Sequence, residues 1–302
     1  MKPVTLQDYK RRLLAVLEFI VGHLDEPLPL DNLARLAALS PYHFHRVFTG
    51  MIGETVQGLV RRLRLERAAG QLRHSRSAVV DIALAAGYDS HEAFSRAFAR
   101  AFALSPTQYR RRPDAPVHLS SRSGIHFQAD QTLRRFRTVA LRSFAMKVTT
   151  QSLPSIRVAC LRHTGPYDQC GSTWDRLFDI VGPDGDLGPG TQFYGISYDD
   201  PENTPPEQVR YDAGISIDEH FVARDGLTIR VIPAGDYAML THEGPYAGLK
   251  NAYRHLMGEW LPRSGRELGD TPCFESYLND PATTPPAELL TDIFAPLRPV
   301  QA

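Results

Sequence analysis

The chain has 302 residues, 42% of them apolar and 23% charged, with 34 Lys and Arg against 34 Asp and Glu. At roughly 100–200 residues per domain this allows two or three domains with sizeable cores, and the composition excludes a disordered or collagen-like polymer. No apolar run approaches the roughly 18 residues that span a bilayer, which excludes an integral membrane protein, and no membrane partner is expected. The charged N-terminus (Lys10, Arg11, Arg12, Glu18) does not resemble a secretory signal, and Cys160, Cys170 and Cys273 form no C-x-x-C. A cytoplasmic protein without a disulfide framework or a zinc finger is expected, and no motif asks for a cofactor.

The zero net charge is a cancellation. Residues 1–115 hold 17 basic and 11 acidic side chains, residues 116–146 hold five and one, and residues 147–302 hold 12 and 22. A basic half joined to an acidic half predicts a polyanion-binding module fused to a module that avoids polyanions, and predicts that the acidic part masks the basic one.

Along the basic half, Leu13, Leu14, Leu17, Ile20, Val21 and Leu24 stripe one amphipathic helix. Leu30, Leu33, Ala34 and Ala37 mark a short helix. Ser40 and Pro41 then read as the N-cap and first residue of the next, with Phe44, Val47 and Phe48 on its inner face. Tyr42, His45, Arg46 and Thr49 fall on the opposite face. The pattern returns fifty residues later: Ile82, Ala83 and Ala86, the turn Gly87-Tyr88-Asp89-Ser90, then Phe94, Ala97 and Phe98, with His91, Glu92, Ser95 and Arg96 facing outward. Phe44 and Phe94, Arg46 and Arg96, Phe48 and Phe98, Thr55 and Ser105 all stand fifty apart. Each copy predicts a helix-turn-helix whose free face can enter a major groove. Between them Val56–Arg73 has no proline and predicts one connecting helix with Arg61, Arg62, Arg64, Arg67 and Arg73.

The stretch 40–48 (SPYHFHRVF), with Asp81-Ile82-Ala83, Gly87-Tyr88-Asp89-Ser90, Phe94–Phe98, Ser105-Pro106 and Tyr109-Arg110, resembles the AraC/XylS signature over about residues 8–112. The resemblance implies double-stranded DNA as partner. By the resemblance Tyr42, His45 and Arg46 would read one half-site and His91, Glu92 and Arg96 the other, and helical spacing adds Thr49 and Ser95 to the same two faces as DNA-contact candidates. The family mostly activates by contacting RNA polymerase, which the resemblance implies as a further partner. Two departures stand out: Ala103 occupies a common glycine position, and Glu92 replaces a neutral polar residue.

Residues 113–146 read as a linker, with a short strand or helix conceivable over Phe136–Ala145. From Lys147 short β-rich runs alternate with two helices, again duplicated. His163-Thr164-Gly165-Pro166-Tyr167 returns as His242-Glu243-Gly244-Pro245-Tyr246, Trp174 and Leu177 as Tyr253 and Leu256, and 200–206 (DPENTPP) as 280–286 (DPATTPP). Each copy reads strand, G-P-Y turn, helix, strand, Pro-rich turn, strand, and a duplicated unit places a ligand cleft along its pseudo-twofold axis. Residues 147–298 resemble the GyrI-like effector-binding domain. The fold expected is therefore multidomain. It joins an all-α double helix-turn-helix domain (1–112) through a linker (113–146) to an α+β domain of duplicated β-α-β-β modules (147–302), in the Rob-type order.

Aligning the two copies at an offset of 79 sets Cys273, Glu275 and Tyr277 over Tyr194, Ile196 and Tyr198. A carboxylate on an aromatic, apolar face is costly to bury unless it is paired, which makes Glu275 the leading ligand candidate. The resemblance implies that such an acid attracts small cationic, lipophilic effectors. Tyr277 and Tyr194 join it from the strands, while Trp174, Tyr253 and Trp260 on the helices offer stacking and cation–π walls. His163 and His242 lack further metal ligands at useful spacing, so no metal site is expected. The function expected is sequence-specific, effector-controlled transcription regulation, without enzymatic activity. The alternatives are a GyrI-like hydrolase with Glu275 as base, and a ligand-independent DNA-binding protein with a partner-binding domain.

Overall fold

The computed structural model describes residues 4–129, 136–139, 146–183, 185–199, 201 and 204–299. By its internal contacts the chain forms two compact units. One comprises Gln7–Leu39 and Ile52–Val139; the other comprises Met1–Leu6, Ser40–Met51 and Ala140–Ala302. This division cuts across the sequence boundaries at 112 and 146, because the third helix belongs with the C-terminal sheet. Among the described residues no helix is long and apolar enough to cross a membrane.

The chain begins with seven helices: α1 (Leu6–Gly22), α2 (Leu30–Leu36), α3 (Pro41–Ile52), α4 (Val56–His74), α5 (Val79–Ala85), α6 (His91–Phe102) and α7 (Pro106–Arg110). The pairs α2/α3 and α5/α6 are the two predicted helix-turn-helix repeats, and α4 is the single connecting helix. The fifty-residue periodicity extends to the caps. Thr55 accepts from the Gly58 amide at the start of α4, and its repeat mate Ser105 forms a reciprocal box with Gln108 at the start of α7. The cap expected of Ser40 is not made by its side chain, whose buried Oγ has no hydrogen-bond partner among the described residues; the Ser40 carbonyl receives the first α3 amides instead.

In the first unit, Phe94, Phe98 and Phe102 line one side of α6 and stack successively against one another and Tyr109, centroids 4.5–5.4 Å apart. They close over Leu65, Ala69 and Leu72 of α4 and Ile82 and Ala83 of α5. The turn between α5 and α6 needs Gly87, whose φ is +79°. Ala103 ends α6 in the left-handed region at φ +57°, so the missing glycine leaves a strained alanine rather than a different turn.

The arginines of α4 are mostly structural ties. Arg62 is bound by Glu54, Glu66 and the Ile125 carbonyl, Arg64 donates to the Leu24 carbonyl at 2.7 Å, and Arg67 reaches Asp25 and the Ala85 carbonyl. Glu66, fully buried, accepts from Arg62, from the Leu119 and Phe127 amides at 3.0 and 2.8 Å, and from His126 at 3.1 Å. The segment after α7, which reads from sequence as a linker, is thereby fastened along α4. The strand or helix expected over Phe136–Ala145 lies partly outside the described residues, and 136–139 form neither.

The second unit is built on one antiparallel eight-stranded sheet. Its strands are β1 (Val148–Leu153), β2 (Ile156–Thr164), β3 (Phe193–Ser197), β4 (Arg210–Ser216), β5 (Thr228–Ile232), β6 (Gly235–Glu243), β7 (Phe274–Tyr277) and β8 (Leu290–Pro296). Helices α8 (Gly171–Val181) and α9 (Leu249–His255) follow β2 and β6, and α9 runs on into a single π turn, Leu256–Trp260. The order β1-β6-β8-β7-β3-β4-β2-β5 holds the duplication: β2-α8-β3-β4 and β6-α9-β7-β8 meet at β3 and β7. The edge strands β1 and β5 are additions to the predicted modules, and each pairs with the other module's strand, β1 with β6 and β5 with β2. Strand alternation gives the sheet two apolar faces. One packs α8 through Leu161, Leu177, Tyr211 and Ile215; the other gathers Val158, Tyr194, Ile196, Phe274 and Phe294.

Candidate functional site

The centre of the second unit is the β3/β7 pairing, where Phe193 lies opposite Tyr277, Gly195 opposite Glu275 and Ile196 opposite Phe274. Gly195 and Glu275 stand 80 apart, so the pseudo-twofold axis passes between them. This corrects the offset of 79: the G-P-Y turns repeat at 79, but the DPxxTPP turns repeat at 80, which puts one extra residue between helix and strand in the second copy. The symmetry mate of Glu275 is Gly195, not Ile196. A Cβ at Gly195 would sit 2.5 Å from Tyr211 Oη, so the carboxylate on one side of the axis needs bare backbone on the other.

Glu275 is 6% exposed and accepts one hydrogen bond on each oxygen, from Tyr253 Oη at 3.0 Å and from Tyr277 Oη at 2.7 Å. Tyr211 Oη lies 2.8 Å from Tyr277 Oη, and Trp174 Nε1 donates to Tyr211 Oη at 3.2 Å. With Tyr277 donating to the carboxylate, the donors line up from Trp174 through Tyr211 and Tyr277 to Glu275, and each polar group in the row is satisfied. Tyr246 adds a ring edge-on to Tyr277 at 5.5 Å, and Trp174 does so at 5.6 Å. Burial raises the Glu275 carboxyl above its usual range, while the two tyrosine hydroxyls and the charge of Arg46 pull it back. Burial, then the glutamate charge, push Tyr253 and Tyr277 well up. The result is a carboxylate held by two tyrosine hydroxyls among aromatic rings.

Of the residues read from sequence, Glu275, Tyr277, Tyr253 and Trp174 come together here. Tyr194 does not. It packs on the opposite sheet face against Phe274, with its hydroxyl on Gln192. Trp260 instead lines a shallow depression with His255, Glu259, Arg263 and Ser264. Gly195, Tyr211 and Tyr246 were missed; Tyr246 is the repeat mate of Tyr167, and the offset of 80 would have found Gly195. His163 is paired with the Thr173 hydroxyl at 3.0 Å, and both His163 and His242 are tied to their own turns. Each faces the carbonyl of its own Gly-Pro turn, Pro166 at 3.0 Å and Pro245 at 3.1 Å. Among the described residues only Glu66, His118 and His126 have metal-donor spacing, and the Glu66 oxygens are already taken by N–H donors.

The two outward helix faces differ. On α6, His91, Glu92 and Arg96 are exposed and Ser95 is half-buried, opposite the phenylalanine stripe. Glu92 lies in the first helical turn, where its own amide and the Ser90 hydroxyl hold its carboxyl below the usual range. On α3 the corresponding face is covered. His45 and Thr49 are buried, and Tyr42 and Arg46 are half-buried. The Arg46 guanidinium lies over the Tyr253 ring at 4.1 Å, Tyr42 meets Tyr198 at 6.4 Å, and His43 is 2.9 Å from the Thr271 carbonyl. The expected free wedge is packed instead, its cation and ring against Tyr253 and Tyr198 and its neighbouring imidazole against a backbone carbonyl.

Residues 146–298 match the GyrI-like small molecule binding domain, and residues 33–112 match a helix-turn-helix domain. The chain is 28% identical over 255 residues to the right origin-binding protein of Escherichia coli K12, covering 82% of this chain and 83% of that one. It is 34% identical over 104 residues to the regulatory protein SoxS of Salmonella typhimurium, covering 34% of this chain and 97% of that one. Among solved structures, the EcmrR C-terminal domain aligns at 22% identity with a TM-score of 0.42, over 52% of this chain and all (100%) of that one. The chain belongs to the GyrI-like small molecule binding domain family and joins that domain to an AraC-type helix-turn-helix domain, the composition of a DNA-binding transcription regulator of the AraC, Rob and SoxS type.

Proposed function

We propose that the chain is a one-component regulator whose α3 and α6 faces read two DNA half-sites and whose Glu275 box takes a small cationic, lipophilic effector. The observation that carries the effector reading is the buried Glu275 carboxylate, held by two tyrosine hydroxyls and walled by Trp174 and Tyr246. An acid kept in such a place is costly unless a cation uses it. The DNA reading is supported by the exposed His91, Glu92 and Arg96 on a helix whose other side is anchored in a core. RNA polymerase is the further partner implied by the AraC/XylS resemblance.

Selection of duplexes from random DNA tests the first part. Replacing Arg96 by Ala is expected to relax specificity at one position by about 1–3 kcal/mol. Uniform weakening across all sequences would place Arg96 on phosphate rather than on a base. Calorimetric titration with tetraphenylphosphonium tests the second part: Glu275→Gln is expected to weaken binding at least about tenfold, since it removes the one buried negative charge in the box. Unchanged affinity would remove Glu275 from the site, and turnover of an electrophilic compound lost in the same variant would favour the hydrolase alternative.

A further inference from the structure

A cation from α3 already lies against the Glu275 box: the Arg46 guanidinium sits over Tyr253, one of the two rings whose hydroxyls hold the carboxylate. We infer that Arg46 is an internal ligand of the effector site: docking of α3 withholds the first reading helix from DNA, and a cationic effector releases it by taking the place of Arg46. This rests on the function proposed above and specifies how its two sites are coupled.

Three independent features make the docking a built interface. First, the guanidinium lies over Tyr253, the ring whose hydroxyl donates to Glu275 at 3.0 Å, so one ring meets the cation with its face and the acid with its hydroxyl. Second, the helix face proposed to enter the groove is the face that is covered: His45 and Thr49 are 4% and 7% exposed, and neighbouring His43 is fully buried with its Nε2 on the Thr271 carbonyl. A groove and the sheet unit cannot both have these side chains. Third, backbone meets backbone where α3 crosses the π turn after α9. A Cβ on Gly50 would sit 2.8 Å from Gly258 Cα, and a Cβ on Gly258 would sit 2.7 Å from Gly50 Cα. Neither glycine has a positive φ, so only the close approach asks for them. The π turn is what brings Gly258 to that place.

The chemistry fixes the sign of the coupling. An effector that needs the space beside Glu275 and Tyr253 binds only when Arg46 has left, and DNA binds α3 only when the same face is free. Both therefore favour the undocked state, and each must raise the apparent affinity for the other by the same factor. The masking expected from charge thus becomes specific: Arg46 of α3 meets the Tyr253 ring and feels the charge of Glu275 behind it.

The test is Gly258→Ala in the full chain, which drives a methyl group into the Gly50 backbone and touches none of the proposed DNA-contacting side chains. Selection from random duplexes with the wild type alone is expected to enrich a single half-site, that of α6. With Gly258→Ala, or with the wild type plus tetraphenylphosphonium, a second half-site is expected about one helical turn away. Affinity for that longer duplex is expected to rise at least about tenfold in both cases. In the wild type the duplex should strengthen tetraphenylphosphonium binding by the same factor, a readout that needs no variant to fold. Two half-sites for the untreated wild type, or no gain from the cation, would overturn the docking proposal while leaving DNA reading intact. Indifference of every form to any duplex at modest salt would overturn the regulator reading, and the docking proposal with it.

Discussion

Lowering the pH from 7 to 5 is expected to weaken the hold of the sheet unit on α3 by about 4 kcal/mol. His43 and His45 are both buried on that helix, and their imidazoles are pushed down to about 3, first by loss of water and then by the charge of Arg46. The carbonyls of Thr271 and Gly269 pull His43 back up, as the Pro41 carbonyl and the Asp199 carboxylate do for His45, while His45 adds repulsion on His43. A free imidazole titrates near 6.5, so the docked helix binds fewer protons than the free one between that value and about 3. The stabilisation is complete above 6.5 and is lost as the pH falls through this window, at about 1.4 kcal/mol per unit for each ring. At pH 5 each ring has lost about 2 kcal/mol. Hydrogen exchange of the 41–52 peptide, corrected for intrinsic rate and compared with β8, is expected to show protection falling about a hundredfold or more. The double variant His43→Gln, His45→Gln should remove most of that step. Equal protection at the two pH values would mean that the imidazoles do not face the docked interface.

Much of this arrangement was legible in the sequence, and the failures have physical causes. The helix-turn-helix pair was readable because Phe44/Phe94 and Phe48/Phe98 must each fill a core, and because Thr55 and Ser105 must each cap a helix start. Both demands are local and leave a fifty-residue echo. Glu275 was readable because an acid among aromatics violates alternation at one position only. Its partner was misread because strand register depends on a single residue: the insertion before β7 turns Ile196 and Tyr194 to the opposite face and brings Gly195 to the axis. The docking of α3 was not legible at all. Tyr42, His45, Arg46 and Thr49 form the polar stripe that either solvent or a groove would accept, and nothing in the order of residues says that Tyr253 and Glu275, more than two hundred positions later, accept it too. Nor could Glu66 be told from a solvated helix charge, since its partners Leu119 and Phe127 offer only backbone amides.

Replacing Glu66 by Ala is therefore expected to destabilise the helical unit by about 3–5 kcal/mol, the cost of leaving buried donors without their acceptor. Arg62 keeps Glu54 at 2.6 Å, so its charge is not abandoned. The loss comes from the Leu119 and Phe127 amides, which lose their acceptor, while His126, about a quarter exposed (27%), can turn to water. An N–H left without a partner away from water costs about 1–3 kcal/mol, and the two amides together reach the stated range. Against a typical total of about 5–15 kcal/mol this is a large fraction. Both tryptophans, Trp174 and Trp260, lie in the sheet unit, so their fluorescence does not report on Glu66 directly. Far-UV circular dichroism during urea unfolding reads the helices and should show the transition moving to lower denaturant. Glu66→Gln keeps one acceptor oxygen but turns an NH2 group toward donors, and should fall between the wild type and Ala. A loss below about 1 kcal/mol for Ala would show that the segment after α7 is not held by this carboxylate, and that the unit's stability rests on the phenylalanine core alone.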